Sequence, residues 1–223
     1  MRINRYIALA TGLSRRAADK AIADGRVKVN DGQPDAGKQI GPSDKVTLDN
    51  RPIIRPRRIK PTTIVLNKPV GYVCSRNGQG SKTIYELLPP ELYHLKPVGR
   101  LDKDSSGLLL LTNDGELAHK LTHPSFQKEK VYEVELDTPL RLEDKAKIES
   151  GIKLEDGISK LLIRASAYNL KPNTYIIHMR EGRNRQIRRT FAALGYKVAS
   201  LHRTQFGEYQ LAKLSGGTYQ TIN

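Results

Sequence analysis

Residues 99–107, GRLDKDSSG, are the part of the chain best suited to chemistry. The apolar run at residues 108–111 that follows them predicts a buried strand. A carboxylate in a polar turn beside a core strand is held rigidly, as a catalytic group must be. Asp102 is therefore a candidate nucleophile or acid/base. The same spacing also fits a turn in which Asp102 or Asp104 only bonds backbone N–H groups, and spacing alone favours this second interpretation.

A second candidate segment, residues 180–189, holds five arginines within ten residues. A helix predicted over 185–194 places Arg185, Arg188 and Arg189 on one face. Each guanidinium can donate two parallel hydrogen bonds to a phosphate or a carboxylate. A solvated helix face is the alternative, but such dense arginines repel one another beside a single nearby acid, Glu181. The pattern therefore favours an RNA or carboxylate partner.

Two histidines and one cysteine are the remaining candidates for metal binding or nucleophilic chemistry. His119 and His123 lie four residues apart on a predicted helix, a spacing that can chelate zinc. No third ligand is evident, so a structural role is the favoured interpretation and we predict no metal site. Cys74, the single cysteine, is better explained as a small buried residue than as a nucleophile.

The charge of the chain indicates a polyanionic partner. Its 223 residues include 38 Lys and Arg against 23 Asp and Glu, a formal net charge of +15. Nucleic acid and anionic lipid both attract such a chain, but tryptophan is absent and aromatic residues are scarce near the amino terminus, which favours nucleic acid. The longest apolar run has five residues, whereas a membrane span needs ~20. With no secretory segment and one cysteine, we expect a cytoplasmic protein with no membrane partner.

The first 62 residues predict a small basic unit and a linker. Helices are predicted over 2–10 and 15–24, the second capped by Ser14, and short strands over 27–29 and 46–48. This α+β unit covers residues 1–50. Residues 51–60, RPIIRPRRIK, hold five basic residues and two prolines, which predicts an irregular basic linker over 51–62.

Residues 63–223 predict a second, larger domain. Strands are predicted over 64–66, 108–111, 132–136, 161–163 and 175–179, and helices over 116–122, 143–150 and 185–194. Strands and helices mix without regular alternation, which indicates the α+β class rather than a doubly wound sheet.

Five motifs follow one another in an order that identifies a family. They are NKPVGY at 67–72, GRLD at 99–102 continuing to GL at 107–108, LTNDG at 111–115, KVY at 130–132, and EGR at 181–183 continuing to Arg189. This set resembles the pseudouridine synthases that modify small- and large-subunit ribosomal RNA. The amino-terminal unit resembles the small RNA-binding domain shared with a small-subunit ribosomal protein, the alpha-L motif. Together the two resemblances cover nearly the whole chain.

The resemblance implies an activity and three catalytic residues. Enzymes of this family detach uracil from its ribose, rotate it and rejoin it through carbon. Asp102 corresponds to the family's essential aspartate, Arg188 to the basic residue that pairs with it, and Tyr132 to the tyrosine that stacks on the target base. The resemblance also implies a mixed, largely antiparallel sheet flanked by helices, and no cofactor or metal. The target uridine must swing out of the RNA to be reached.

The resemblance further implies ribosomal RNA as the partner, and we expect a monomer. Features at 154–157 and 181–185 favour large-subunit over small-subunit RNA. A non-catalytic ribosome-assembly factor is the alternative, but such a binder has no reason to retain Asp102, Tyr132 and Arg188 together. A nuclease is a third possibility, but the sequence has no obvious histidine pair and no cluster of metal-binding acids for that reaction. The basic residues expected to contact RNA are Arg15, Arg16, Lys20 and Arg26 in the small unit and Arg100, Arg183, Arg185 and Arg189 in the large domain.

Overall fold

The computed structural model describes residues 1–54, 60–165 and 173–222. The chain divides into two compact units, Met1–Lys60 and Pro61–Asn223. Both units combine helices with strands, so the predicted α+β class is confirmed. In the described part of the chain, no helix has the length and apolar character that crossing a bilayer requires.

The amino-terminal unit is a helix pair packed on a small antiparallel sheet. Its elements are α1 (Ile3–Thr11), α2 (Arg15–Ala23), β1 (Val27–Val29), β2 (Val46–Leu48) and β3 (Arg51–Ile53), with strand order β1-β2-β3. The Oγ atom of Ser14 accepts a hydrogen bond from the Ala17 N–H at 3.0 Å, which confirms the predicted cap of α2. The apolar core of this unit is formed by Ile3, Tyr6, Ile7, Ala18, Ala21, Ile22, Val27, Val29, Ile40 and Val46.

The start of the predicted linker is a strand, which corrects the sequence interpretation. Arg51–Ile53 pairs with β2 in antiparallel register, Val46 opposite Ile53. Pro52 is tolerated because β3 is the edge strand, where the missing N–H breaks no ladder on the outer side. Residues 55–59, the most basic part of the predicted linker, lie outside the described residues.

The larger unit is built on one long sheet. Its strands are β4 (Thr63–Lys68), β5 (Lys96–Pro97), β6 (Ser106–Thr112), β7 (Lys130–Leu136), β8 (Ile152–Leu154), β9 (Gly157–Ser159), β10 (Leu162–Ala165), β11 (Thr174–Met179), β12 (Val198–Phe206), β13 (Tyr209–Gln210) and β14 (Tyr219–Ile222). Its helices are α3 (Gly115–Thr122), α4 (Leu142–Ser150) and α5 (Gln186–Ala192). β8 and β9 form a separate antiparallel pair outside the long sheet. Every strand and helix predicted from the sequence has a counterpart here, whereas β5, β8, β9, β12, β13 and β14 are not among the predicted strands.

The strand order of this sheet is β10-β11-β7-β12-β6-β4-β14, with β5 added to β6 and β13 to β12. Along this order each neighbouring pair is antiparallel except β12 and β6, which run parallel. The expected mixed, largely antiparallel sheet is therefore present, and its one parallel pairing lies at the centre.

Apolar side chains cover both faces of the sheet. Leu109 and Leu111 of β6 belong to one core, which also contains Phe191 of α5. Leu108 and Leu110 belong to a second core on the opposite face, beneath Leu121 of α3. Burial on both faces explains why residues 108–111 are an unbroken leucine run instead of an alternating pattern.

Candidate active site

One row of residues across the centre of the sheet positions the site. The residues that lie opposite one another in register are Tyr132 on β7, Arg203 on β12, Gly107 on β6 and Lys68 on β4. Neighbouring strands are ~4.8 Å apart, so Tyr132 lies roughly 10 Å from Gly107. The loop that carries Asp102 leads directly into β6 at Ser106. Tyr132 and Leu101, the residue before Asp102, both belong to the large apolar core on one face of the sheet.

Gly107 is required at this point because β12 passes very close to it. Its φ angle is +106°, and a Cβ atom there would lie 2.3 Å from the carbonyl oxygen of Arg203 and 2.5 Å from its nitrogen. Any side chain would therefore force β6 and β12 apart. The close pairing fixes the start of β6, and with it the end of the catalytic loop.

Lys68 is a fully buried lysine whose ammonium group binds backbone carbonyls of this loop. Its Nζ atom donates hydrogen bonds to the backbone carbonyls of Asp102 at 3.0 Å, Ser105 at 2.6 Å and Pro69 at 3.0 Å. Burial lowers the pKa of Lys68, and the charges of Asp102 and Asp104 act in the opposite direction. The sequence analysis noted Lys68 only as part of a motif. The signal that could have found it is a lysine ending a continuous buried strand.

Asp102 lies at the open side of the loop, and its side chain is 35% exposed. Its Oδ2 atom lies 3.6 Å from Nη1 of Arg185. This contact is longer than a direct hydrogen bond, so the carboxylate keeps room for a further partner.

Arg188 does not pair with Asp102 in the structure, which corrects the expected pairing. Its Nη2 donates to the backbone carbonyl of Asp104 at 2.8 Å and its Nη1 to that of Val198 at 2.9 Å. Its Nε lies 3.4 Å from the carboxylate of Asp104. The Arg188 side chain is only 13% exposed, because the guanidinium satisfies buried carbonyls between the loop and β12. Arg188 therefore braces the loop, and Arg185 is the arginine nearest to Asp102.

Arg185 binds Asp104 through a two-pronged ion pair. Nη1 donates to Oδ1 at 3.0 Å and Nη2 to Oδ2 at 2.9 Å. Arg185 precedes α5 with a left-handed backbone, φ +47°. Its hydrogen bonds, together with the charge of Arg188, hold the pKa of Asp104 below its usual value. Asp104 was considered in the sequence only as an alternative turn residue.

Two further arginines of this segment are already neutralised by an acid from another part of the chain. Arg183 and Arg189 both bind Asp156, at 3.0 Å and 2.6 Å. The hydrogen bond from Arg189 is the main cause that lowers the pKa of Asp156. The sequence argument counted only Glu181 as a nearby acid, whereas folding adds Asp104 and Asp156. The arginines therefore do not need an external anion to coexist.

The remaining cations expected to bind RNA differ in how they are engaged. Arg100 is exposed and, within the described residues, forms no hydrogen bond or ion pair. Arg16 and Lys20 are exposed on α2, and Arg15 beside them reaches only Asn4, at 3.5 Å. Arg26 is held by the carboxylate of Asp49, with Nε 2.7 Å from Oδ1.

Cys74 lies behind the loop and is not a nucleophile candidate. Its Sγ donates to the carbonyl of Leu101 at 3.3 Å and accepts from the Leu101 N–H at 3.4 Å. Burial raises the pKa of Cys74, which favours the neutral thiol. Across residues 1–54, 60–165 and 173–222, no three metal-ligating side chains form a group that could hold an ion.

Comparisons with known proteins agree on one family. Residues 62–193 match the family model of RNA pseudouridylate synthases. A ribosomal large subunit pseudouridine synthase B from Bacillus subtilis (strain 168) is 36% identical, over 97% of this chain and 89% of that protein. A ribosomal small subunit pseudouridine synthase A from Salmonella typhimurium (strain LT2) is 35% identical, over 100% of this chain and 96% of that protein.

A solved structure supports the same assignment. A crystal structure of a pseudouridylate synthase matches with a TM-score of 0.70 and 32% identity, over 100% of this chain and 96% of that chain. The chain therefore shares the α+β fold of that pseudouridylate synthase. The chain belongs to the RNA pseudouridine synthase family and is an isomerase.

Proposed function

We propose that this enzyme converts one uridine of ribosomal RNA to pseudouridine, with Asp102 as its catalytic carboxylate. The observation that carries the assignment of Asp102 is the way its loop is held. Lys68 binds the carbonyls of Asp102 and Ser105 from below, and Arg188 binds that of Asp104 from the side of α5. A reactive carboxylate needs such a preorganised support, and an ordinary surface turn does not.

The reaction rearranges bonds within one nucleotide and leaves its composition unchanged. The bond from C1′ to N1 breaks, the uracil rotates, and a bond from C1′ to C5 forms. C5 then loses its proton and N1 gains one. An ionised Asp102 can act as a nucleophile or as an acid/base in these steps. The guanidinium of Arg185 lies 3.6 Å from this carboxylate and provides a positive charge beside it in either role.

Tyr132 is proposed to form the aromatic wall of the pocket for the swung-out base. It is 8% exposed and lies in the central row of the sheet, in the same apolar cluster as Leu101. Bases stack on aromatic rings, and this contact offsets part of the cost of leaving the RNA helix. Its proposed role is to orient the uracil after the glycosidic bond has broken.

RNA binding is proposed to involve both units of the chain. Residues 1–50 are proposed to be an alpha-L RNA-binding domain, whose exposed cations on α2 are Arg15, Arg16 and Lys20. Among the cations expected to contact RNA in the catalytic domain, residues 63–223, Arg100 is exposed and has no acid partner within the described residues. Arg26, Arg183, Arg185 and Arg189 would have to exchange their carboxylate partners for phosphate, so we rank them second. We further propose a cytoplasmic monomer acting on large-subunit RNA, on the features at 154–157 and 181–185.

The test is to map pseudouridine in both ribosomal RNAs with and without the protein. Asp102→Asn removes the carboxylate with little change of shape, and we expect the rate to fall by at least ~10²-fold. RNA affinity should stay within a few-fold of the parent. Glu91→Gln, which neutralises an exposed acid of the same domain, is the matched control and should leave the rate unchanged. Near-normal pseudouridine formation by Asp102→Asn would refute the assignment.

A further inference from the structure

Three aromatic rings form an exposed cluster that the proposed reaction does not use. The imidazoles of His119 and His123 stack with centroids 4.7 Å apart and planes 23° apart. The ring of Phe126 stands edge-on to both, at 5.8 Å and 6.2 Å. We name His119, His123 and Phe126 the ring platform. All three side chains are exposed, with Phe126 at 47%.

The local backbone and the contacts of His123 with Ser125 position the rings of the platform. His119 lies in the last turns of α3, and His123 ends that helix. His123 also caps the next turn, where its Nδ1 accepts from the Ser125 N–H at 3.3 Å. Gln127, with φ +43°, then ends the turn that presents Phe126. A partner that binds preordered rings loses little side-chain entropy in doing so.

The exposure of Phe126 is unusual within this chain. The other two phenylalanines, Phe191 and Phe206, are 0% and 1% exposed. Leu121 anchors α3 in the core, so the platform is not needed to bury that helix. An exposed aromatic cluster without a packing role marks a binding surface.

The helix that carries His119 ends beside the start of the loop that contains Asp102. The Cγ2 atom of Thr122, the last residue of α3, lies 3.9 Å from where a Cβ on Gly99 would be, next to Arg100. Lys120 and Lys128 are exposed and lie close to the platform residues in the sequence. Aromatic rings interleaved with cations are the combination that proteins use to bind single-stranded nucleic acid. The surface therefore fits a base and its phosphates better than an apolar peptide.

We propose that the ring platform stacks an unpaired nucleobase of the substrate RNA, close to the uridine that enters the pocket. The proposal rests on the proposed function, because it places the platform on the path of the RNA. Its role is to position RNA, and none of the three rings is a catalytic residue. Stacking on Phe126 and the histidine pair would hold a neighbouring base outside the helix while the target is engaged.

Substitution of Phe126 measures the contribution of stacking. Removing one base-stacking ring weakens RNA binding by an amount that corresponds to about 5- to 150-fold in Kd. We expect Phe126→Ala to raise Kd and KM within this range and to leave kcat within twofold. Phe126→Tyr keeps the ring and should bind as the parent does. Leu142→Ala, at a residue 86% exposed elsewhere in the domain, is the matched control and should change nothing.

The absence of tryptophan allows a direct probe of the surface. Phe126→Trp places a single fluorophore on the platform, and Leu142→Trp places one away from it. The probes are an unstructured RNA of twelve nucleotides and the perfect duplex of the same strand. We expect the single strand to quench Phe126→Trp saturably, the duplex to quench it much less, and neither to affect Leu142→Trp. No quenching, or equal quenching by both RNAs or at both positions, overturns the proposal.

Pseudouridine formation by the parent on transcripts of both ribosomal RNAs separates this proposal from the proposed function. An active parent with an unchanged Kd and KM in Phe126→Ala refutes the platform alone. An inactive parent whose Phe126→Trp variant still responds to single strands refutes the ribosomal RNA activity and keeps the platform as an RNA-binding surface. A platform that binds protein instead would leave every RNA measurement at the parent value, which also overturns the proposal.

Discussion

Replacing Lys68 by methionine removes the buried ammonium while keeping the length and most of the volume of the side chain. Its three bonds to carbonyls of Pro69, Asp102 and Ser105 are charge-assisted, and each is worth ~1.5–3 kcal/mol. Methionine avoids the several kcal/mol needed to bury an ammonium, which offsets part of that loss. The carbonyls of Pro69, Asp102 and Ser105 then lose the hydrogen bonds that the ammonium donates to them. We expect the free energy of unfolding to fall by about 2–4 kcal/mol.

The activity of Lys68→Met should fall further than its stability requires. The carbonyl of Asp102 keeps its hydrogen bond from the Ser105 N–H at 3.1 Å but loses the one from the ammonium, so the backbone of the proposed catalytic residue is less firmly held. A misplacement of ~1 Å costs on the order of 10²-fold in rate. The assay is single-turnover pseudouridine formation at a temperature where urea titration shows the variant fully folded. The unfolding m-value should match that of the parent, which ensures that the two free energies are comparable.

Lys103→Met is the control for Lys68→Met, because it makes the same change one residue after Asp102. Lys103 is exposed, and its Nζ binds only the Oγ of Ser81, at 3.0 Å. Its stability should stay within ~0.5 kcal/mol of the parent. If Lys68→Met proves as stable and as active as Lys103→Met, the loop does not depend on the buried ammonium and our account of the site fails.

Two further predictions concern the backbone and the pH dependence. Gly107→Ala should lower the free energy of unfolding by more than ~4 kcal/mol or prevent folding, because its Cβ would lie 2.3 Å from the Arg203 carbonyl oxygen. Gly115→Ala is the control, because a Cβ there meets open space and the variant should fold normally. Thermal unfolding of both variants is the measurement. The lowered pKa of Asp156 adds stability above its unfolded value of ~3.9, and this is lost as the pH falls through the folded value. Asp156→Asn should therefore be less stable than the parent at neutral pH, and the difference in urea midpoint should vanish on acidification; a constant difference contradicts the role of the Arg189 pair.

Much of the fold could be predicted because local patterns agree with the tertiary structure. The leucine run of β6 is buried on both faces, and such a run predicts a buried strand. Buried and half-buried residues largely alternate in β7, and this pattern predicts a half-buried strand. Ser14 caps α2 by a bond to a residue three positions away, which sequence spacing alone can predict. Such features depend on neighbours in the chain, and the sequence contains those neighbours.

The central strand β12 was not predicted because its residues do not look buried. It contains His202, Arg203, Thr204 and Gln205 in succession. Arg203 is nevertheless 2% exposed, since its Nε donates to the Leu108 carbonyl at 2.8 Å and its guanidinium lies over the Phe206 ring, 4.9 Å from its centroid. These partners come from the tertiary pairing, which no local pattern encodes. The apolar pattern of a strand therefore fails where a cation is buried.

The pairing of arginines with acids in the site could not be predicted for the same reason, because it depends on the tertiary structure. Asp102 and Tyr132 were identified through motifs, but the ion pairs of Asp102 and Asp104 with Arg185 and Arg188 join residues more than 80 positions apart. With five arginines and several acids available, the pairing depends on which backbone each element brings near. Motif position therefore suggested Arg188 as the partner of Asp102, and only the folded chain showed that Arg188 serves carbonyls.

The two carboxylates of the loop, Asp102 and Asp104, differ in how they contact Arg185, and this difference fits the proposed role of Asp102. Asp104 takes both prongs of Arg185, at 2.9 Å and 3.0 Å, and thereby fixes the guanidinium in place. Asp102 is left with a single contact at 3.6 Å and an exposed face. A carboxylate locked in a two-pronged ion pair is a poor nucleophile and a poor base, because its lone pairs are already used. Asp102 lies near the same cation without a two-pronged ion pair, so its lone pairs remain available for the proposed chemistry.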